Sequence, residues 1–135
     1  PSPLTLVLKQ KPQTGISQLV TAGLDTVAIR VPNHPVAQSL LKAYGKPLAA
    51  PSANRSLRIS PTTSEAVHQS LGERTPFVLE GGPCKVGLES TILDLTTDVP
   101  VLLRPGGASV EALEKIIGKT VQQPKEFTSI KAPGM

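Results

Sequence analysis

A chain of 135 residues has room for one domain with a modest core, and its 39% apolar content suits a globular protein. Lys and Arg number 14 against 10 Asp and Glu, a net +4 with both histidines neutral that favours polyanionic ligands such as ATP or RNA. Tyr44, Phe77 and Phe127 are the only aromatics, which makes a base-stacking platform hard to build, and no apolar run approaches the roughly 18 residues that suggest a membrane span.

Leu4 to Lys9 is mostly apolar and alternates poorly, as expected of a strand buried on both faces. A polar loop with Pro12 and Gly15 leads to a short helical turn over Ile16–Ala22, ended by Gly23. Thr26 to Val31 reads as a second strand, stopped by Pro32. Asn33 then serves as N-cap for a helix with Pro35 in its first turn and Val36, Ala37, Leu40, Leu41 and Tyr44 at helical spacing. Gly45 closes that helix as a left-handed cap.

Pro47 to Ala50 reads as a third strand and feeds the loop Pro51 to Thr63. Thr62-Thr63-Ser64-Glu65 has capping-box spacing and starts a helix to Leu71, closed by Gly72. Phe77–Leu79, Ser90–Leu95 and Val101–Leu103 read as three further strands. Ser109 caps a last helix with Val110, Leu113, Ile116 and Ile117 on one face and Gly118 at its end. Alternation followed by strands in a row predicts an α/β fold: an open twisted sheet of mixed parallel and antiparallel strands with flanking helices.

Ser52-Ala53-Asn54 is the most informative stretch. Ser52 and Asn54 stand at alternate positions after an apolar run, where two short polar side chains can point the same way. A Ser/Asn-rich loop is ordinarily only a turn, and this one becomes more than that through its companions. Those are Thr26-Val27-Ala28-Ile29-Arg30-Val31-Pro32, Gly81-Gly82-Pro83 leading to Gly87-Leu88-Glu89-Ser90-Thr91, and Leu103-Arg104-Pro105-Gly106-Gly107. In this order and spacing, from Pro3-Leu4-Thr5 to about Gly107, the chain resembles the YrdC-like family of threonylcarbamoyl-AMP synthases.

That resemblance implies an enzyme, a nucleotidyltransferase that joins ATP, L-threonine and bicarbonate into L-threonylcarbamoyladenylate and pyrophosphate. The product supplies a downstream threonylcarbamoyl transferase complex that modifies position 37 of certain transfer RNAs. Matching residue by residue implies that Thr26, Ser52, Asn54, Ser60 and Arg104 contact ATP, and that Arg30, Ala50 and Ser90 line the threonine site. Magnesium is expected with the ATP. Thr26 and Arg30 are four apart on one strand, so alternation alone places both on one face. Two positions depart from the family pattern: Leu57 and Ser2 stand where glycine is common.

No residue is assigned as general acid, general base or nucleophile. His34, His68 and Cys84 make no metal-ligand cluster, and Cys84 lacks an evident histidine partner. A single cysteine cannot form an internal disulfide, which favours a reducing compartment, with cytoplasm the default. Pro1 at the start and Lys131-Ala132-Pro133-Gly134-Met135 at the end read as those of a fragment. Residues 1–122 are expected to be the C-terminal portion of a YrdC-like domain and residues 123–135 the start of an interdomain linker. The family's Lys/Arg motif has no counterpart here, so the fragment alone is expected to be inactive. Two other readings stay open: a double-stranded RNA-binding module, and the carbamate-adenylating YrdC-like domain of hydrogenase-maturation carbamoyltransferases.

Overall fold

A computed structural model describes residues 1–123. The described residues divide into two compact units, one formed by Pro1–Asn33 with residues 88–123, the other by His34–Gly87. The expected linker falls almost wholly on residues 124–135, outside the described residues.

The first unit is built on β1 (Leu4–Lys9), β2 (Thr26–Arg30), β3 (Thr91–Asp94) and β4 (Val101–Arg104), in the spatial order β2-β1-β3-β4. β1 runs antiparallel to β2 and parallel to β3, and β3 runs antiparallel to β4. This is the mixed, open sheet that the strand pattern predicted. Its alternation sorts the apolar residues cleanly. Val7, Ile92 and Leu103 make one buried cluster, while Leu93, Leu102 and Val121 make another with Leu4, Leu6, Val110 and Ile117 packed against it.

Two helices belong to this unit. α1 (Gln18–Thr21) is a single turn capped by Ser17, whose hydroxyl accepts from Leu19 N. α4 (Val110–Ile117) follows β4, capped by Ser109 and ended by Gly118 at φ 71. Leu113 is buried along its inner face, and Glu114 Oε1 accepts from Val121 N at 2.8 Å. That bond holds the chain as it turns back to pair Gln122 with Val101.

The second unit holds α2 (Pro35–Tyr44), α3 (Ser64–Leu71) and a 3-10 turn at Gly72–Arg74. His34, not Asn33, takes the N-cap position of α2, because Pro35 already occupies the first helical turn. Gly45 closes α2 at φ 71, donating to Leu41 O. Thr63 rather than Thr62 caps α3, its hydroxyl accepting from Ala66 N at 3.2 Å.

Two expected strands are absent among the described residues: Pro47–Ala50 and Phe77–Leu79 are irregular. An extended apolar segment becomes a strand only when a neighbour takes its backbone groups, and no ladder reaches either one. Leu48, Phe77 and Leu79 are correspondingly exposed.

Candidate functional site

The sheet unit gathers four of the predicted residues. In the β1–β2 ladder Thr5 stands opposite Arg30 and Lys9 opposite Thr26, so Thr5, Arg30 and Thr26 all leave the same face. Thr26 and Arg30 lie roughly 13 Å apart along the strand, since each residue rises about 3.3 Å. The Arg30 side chain is exposed and, among the described residues, its guanidinium has no hydrogen-bond or ion-pair partner. A fork of five N–H donors held on a strand end is suited to a carboxylate.

Ser90 stands immediately before β3 and is buried at 4% exposure. Its Oγ lies 2.7 Å from Thr5 Oγ1, which ties the serine to the Arg30 face. Arg104, at the end of β4, grips the same residue. Its Nε and Nη2 donate to Ser90 O at 3.1 and 3.0 Å, and Nη2 also reaches Ser90 Oγ at 3.3 Å. Nη1 pairs with the Glu89 carboxylate.

The turn after β4 is locked against the same segment. Gly107 N donates to Glu89 O at 3.1 Å, Thr91 N to Pro3 O at 2.9 Å, and Thr91 Oγ1 exchanges bonds with Ala108 O and N at 2.8 and 2.9 Å. A Cβ on Gly106 would run into the backbone of Glu89, Ser90 and Thr91. The glycine is therefore required by close approach, not by its dihedral angles. Glu89 anchors Arg104. Arg104 thus has a duty in placing Ser90 that its assignment to ATP did not include.

The second unit holds Ala50, Ser52, Asn54 and Ser60. Ala50 and Ser52 are exposed on irregular backbone, and Ser60 is half-buried. Asn54 behaves partly as the turn residue that composition suggests: Nδ2 donates to Arg55 O at 2.9 Å and Arg58 O at 2.8 Å. Its Oδ1 is buried without a partner among the described residues. Such an orphan acceptor costs about 1–3 kcal/mol unless a donor reaches it. Leu57 occupies φ 64, left-handed backbone where a Cβ is strained, so the glycine that the resemblance led one to expect there has a physical reason.

A cavity in this unit is lined by Pro61–Ser64, Val67 and Val78–Gly82. Its polar end is occupied by Glu80, whose carboxylate is held below the usual glutamate range by the Ser64 side chain and then by Gly82 N. Gly82 N donates to Glu80 Oε1 at 2.8 Å. The start of α3 is thereby already supplied with an anion. His34 Nε2 lies 3.1 Å from Gly81 O, and its ring packs so close that a Cβ on Gly81 would meet Cε1 at 2.9 Å. Among the described residues no three His, Cys, Asp or Glu side chains gather as a metal site.

Residues 1–106 match the family model Sua5_yciO_yrdC, described as "Telomere recombination". The chain belongs to the Sua5/YciO/YrdC family. It is 51% identical over 118 residues to the threonylcarbamoyl-AMP synthase of Bacillus subtilis, covering 87% of this chain and 34% of that protein. It is 43% identical over 139 residues to the synthase of Pyrococcus abyssi, covering 100% and 40% respectively. A crystal structure of P. abyssi Sua5 complexed with L-threonine superposes with a TM-score of 0.88 over 98% of this chain and 40% of that one. E. coli YciO, at 28% identity, gives a TM-score of 0.65 over 82% and 53%. The chain therefore spans only 34% and 40% of the two family synthases named. Among its described residues no helix is long and apolar enough to cross a membrane.

Proposed function

We propose that this chain is part of a nucleotidyltransferase that makes L-threonylcarbamoyladenylate from ATP, L-threonine and bicarbonate, releasing pyrophosphate. The observation that carries the reading is the Arg30 guanidinium, unpartnered among the described residues and sharing a sheet face with the Thr5–Ser90 hydroxyls. It occurs in a chain 43% identical to a protein solved with L-threonine. Arg30 orients the threonine carboxylate, while Ser90 and Ala50 line the amino-acid site. By the family resemblance Thr26, Ser52, Asn54, Ser60 and Arg104 contact the nucleotide.

The threonine amine first takes up bicarbonate, losing water, to give a carbamate. One carbamate oxygen attacks the α-phosphorus of ATP, and the bond to the β-phosphate oxygen breaks to release pyrophosphate. No side-chain nucleophile is required. Rate comes from positioning and from donors aimed at developing phosphate charge. Magnesium would accompany the ATP triphosphate and offset part of its charge.

The product passes to a threonylcarbamoyl transferase complex for transfer to position 37 of transfer RNA, in the cytoplasm. In this reading residues 1–122 are the C-terminal portion of the catalytic domain. The test is exchange of labelled pyrophosphate into ATP by the full-length protein. Exchange that requires both threonine and bicarbonate is expected. Exchange supported equally by carbamoyl phosphate without threonine would move the protein to the hydrogenase-maturation class, and steep salt-dependent RNA binding without any exchange would make it an RNA-binding module.

A further inference from the structure

The hydroxyls of Thr5 and Ser90 have more hydrogen-bonding capacity than the protein uses. Arg104 Nη2 can only donate, so Ser90 Oγ accepts from it at 3.3 Å. The Thr5–Ser90 contact at 2.7 Å uses one of the pair's two protons, whichever oxygen donates. The other proton has no acceptor among the described residues. When Thr5 donates, the spare proton is on Ser90, which is 4% exposed, and water is then a poor substitute. A donor left unsatisfied in such a place is costly, and an oxygen of a bound ligand removes the cost.

Thr5 is the direct cross-strand neighbour of Arg30, with both side chains on one face. A spare O–H and an unpartnered guanidinium therefore stand side by side. Together they match an amino acid whose carboxylate meets the arginine and whose other oxygen accepts from the hydroxyl pair. We propose that Thr5 is a positioning residue of the amino-acid site, fixing the direction of the Ser90 hydroxyl beside Arg30. This rests on the functional reading above and extends it to a residue in β1. A role confined to stitching β1 to β3 would support folding and leave ligand affinity alone.

The test uses the full-length protein with Thr5→Val, which removes the hydroxyl and keeps the shape, and Thr5→Ser, which keeps the hydroxyl. L-threonine and ATP are titrated calorimetrically into each, and thermal unfolding is recorded alongside. Thr5→Val is expected to lose about 5- to 30-fold in threonine affinity, the worth of one hydrogen bond to a buried group, with ATP affinity held within about 2-fold. Thr5→Ser is expected to return within about 3-fold of the parent by the same bond. A Thr5→Val protein that unfolds earlier yet binds threonine as before overturns the proposal. If Thr5→Val does not fold, Thr5→Ala is held to the same criterion. Arg30→Ala separates the two levels: if it loses threonine affinity while Thr5→Val does not, only this inference fails, and if neither loses affinity the functional reading fails with it.

Discussion

The two units of this chain are held together by different means. In the sheet unit the buried apolar residues Val7, Val27, Ile92, Leu93, Leu102, Leu103, Leu113 and Val121 all lie on or beside β-strands. In the His34–Gly87 unit neither α2 nor α3 buries a residue, and Leu40, Tyr44, Leu48, Ile59 and Phe77 are exposed. The contacts that order that unit are polar: the Thr63 cap, the Asn54 and Arg55 bonds, and the Glu80 carboxylate at the start of α3. Tertiary packing therefore fixes the Thr5–Ser90–Arg104 geometry and the strand that carries Arg30, whereas Asn54 is held by hydrogen bonds within its own turn. The same substitution chemistry should cost far more in one unit than in the other.

The largest effect is expected at Gly106. Gly106→Ala forces a methyl into the Glu89–Thr91 backbone and should destabilise the sheet unit by about 3 kcal/mol, the upper end for overpacking. Denaturant unfolding measures it; a cost under about 1 kcal/mol would mean the turn after β4 moves freely. Arg104→Ala comes next. Sequence reasoning expects it to weaken ATP and spare threonine, but the bonds to Ser90 O and Oγ make a threonine loss expected as well. Calorimetry with both ligands distinguishes the two: intact threonine affinity would show that Ser90 holds its place unaided.

In the other unit the effects are small and one has the opposite sign. Leu57→Gly relieves left-handed strain worth about 1–2 kcal/mol but adds chain entropy to the unfolded state, leaving a net gain below about 1 kcal/mol. A loss of stability there would mean that Leu57, exposed as it is, packs on something. The smallest effect is a pH dependence. Hydrogen bonds lower the Glu80 pKa in the folded state, so its contribution is present above the ordinary glutamate range and fades as pH falls through the folded value. Glu80→Gln should flatten the acid limb of stability against pH, and an unchanged limb would remove Glu80 from the account.

How far the sequence could be read follows the same division. α2 and α4 were legible because their signals are local: Pro35 and Gly45, Ser109 and Gly118 act within a turn of the helix they bound. The Thr26–Arg30 face was legible because alternation is a property of one strand. Pro47–Ala50 and Phe77–Leu79 were misread because pairing is non-local, and apolar content cannot say whether a neighbour exists. Arg104's hold on Ser90 depends on the β3–β4 register, which no spacing reveals. Thr5 was overlooked inside an apolar strand, although its place two residues before the buried Val7 marks it as the polar member of that face.

The central claim is that the Arg30 face of the sheet receives the carboxylate of L-threonine, and titration of L-threonine into full-length Arg30→Ala tests it most directly. A charge-assisted pair is worth about 1.5–3 kcal/mol, so threonine affinity should fall about 10- to 150-fold while ATP affinity stays nearly constant. Arg30→Lys should recover only part of the loss, because an ammonium cannot make two parallel contacts. Unchanged threonine affinity in Arg30→Ala, or equal losses for threonine and ATP, would contradict the account.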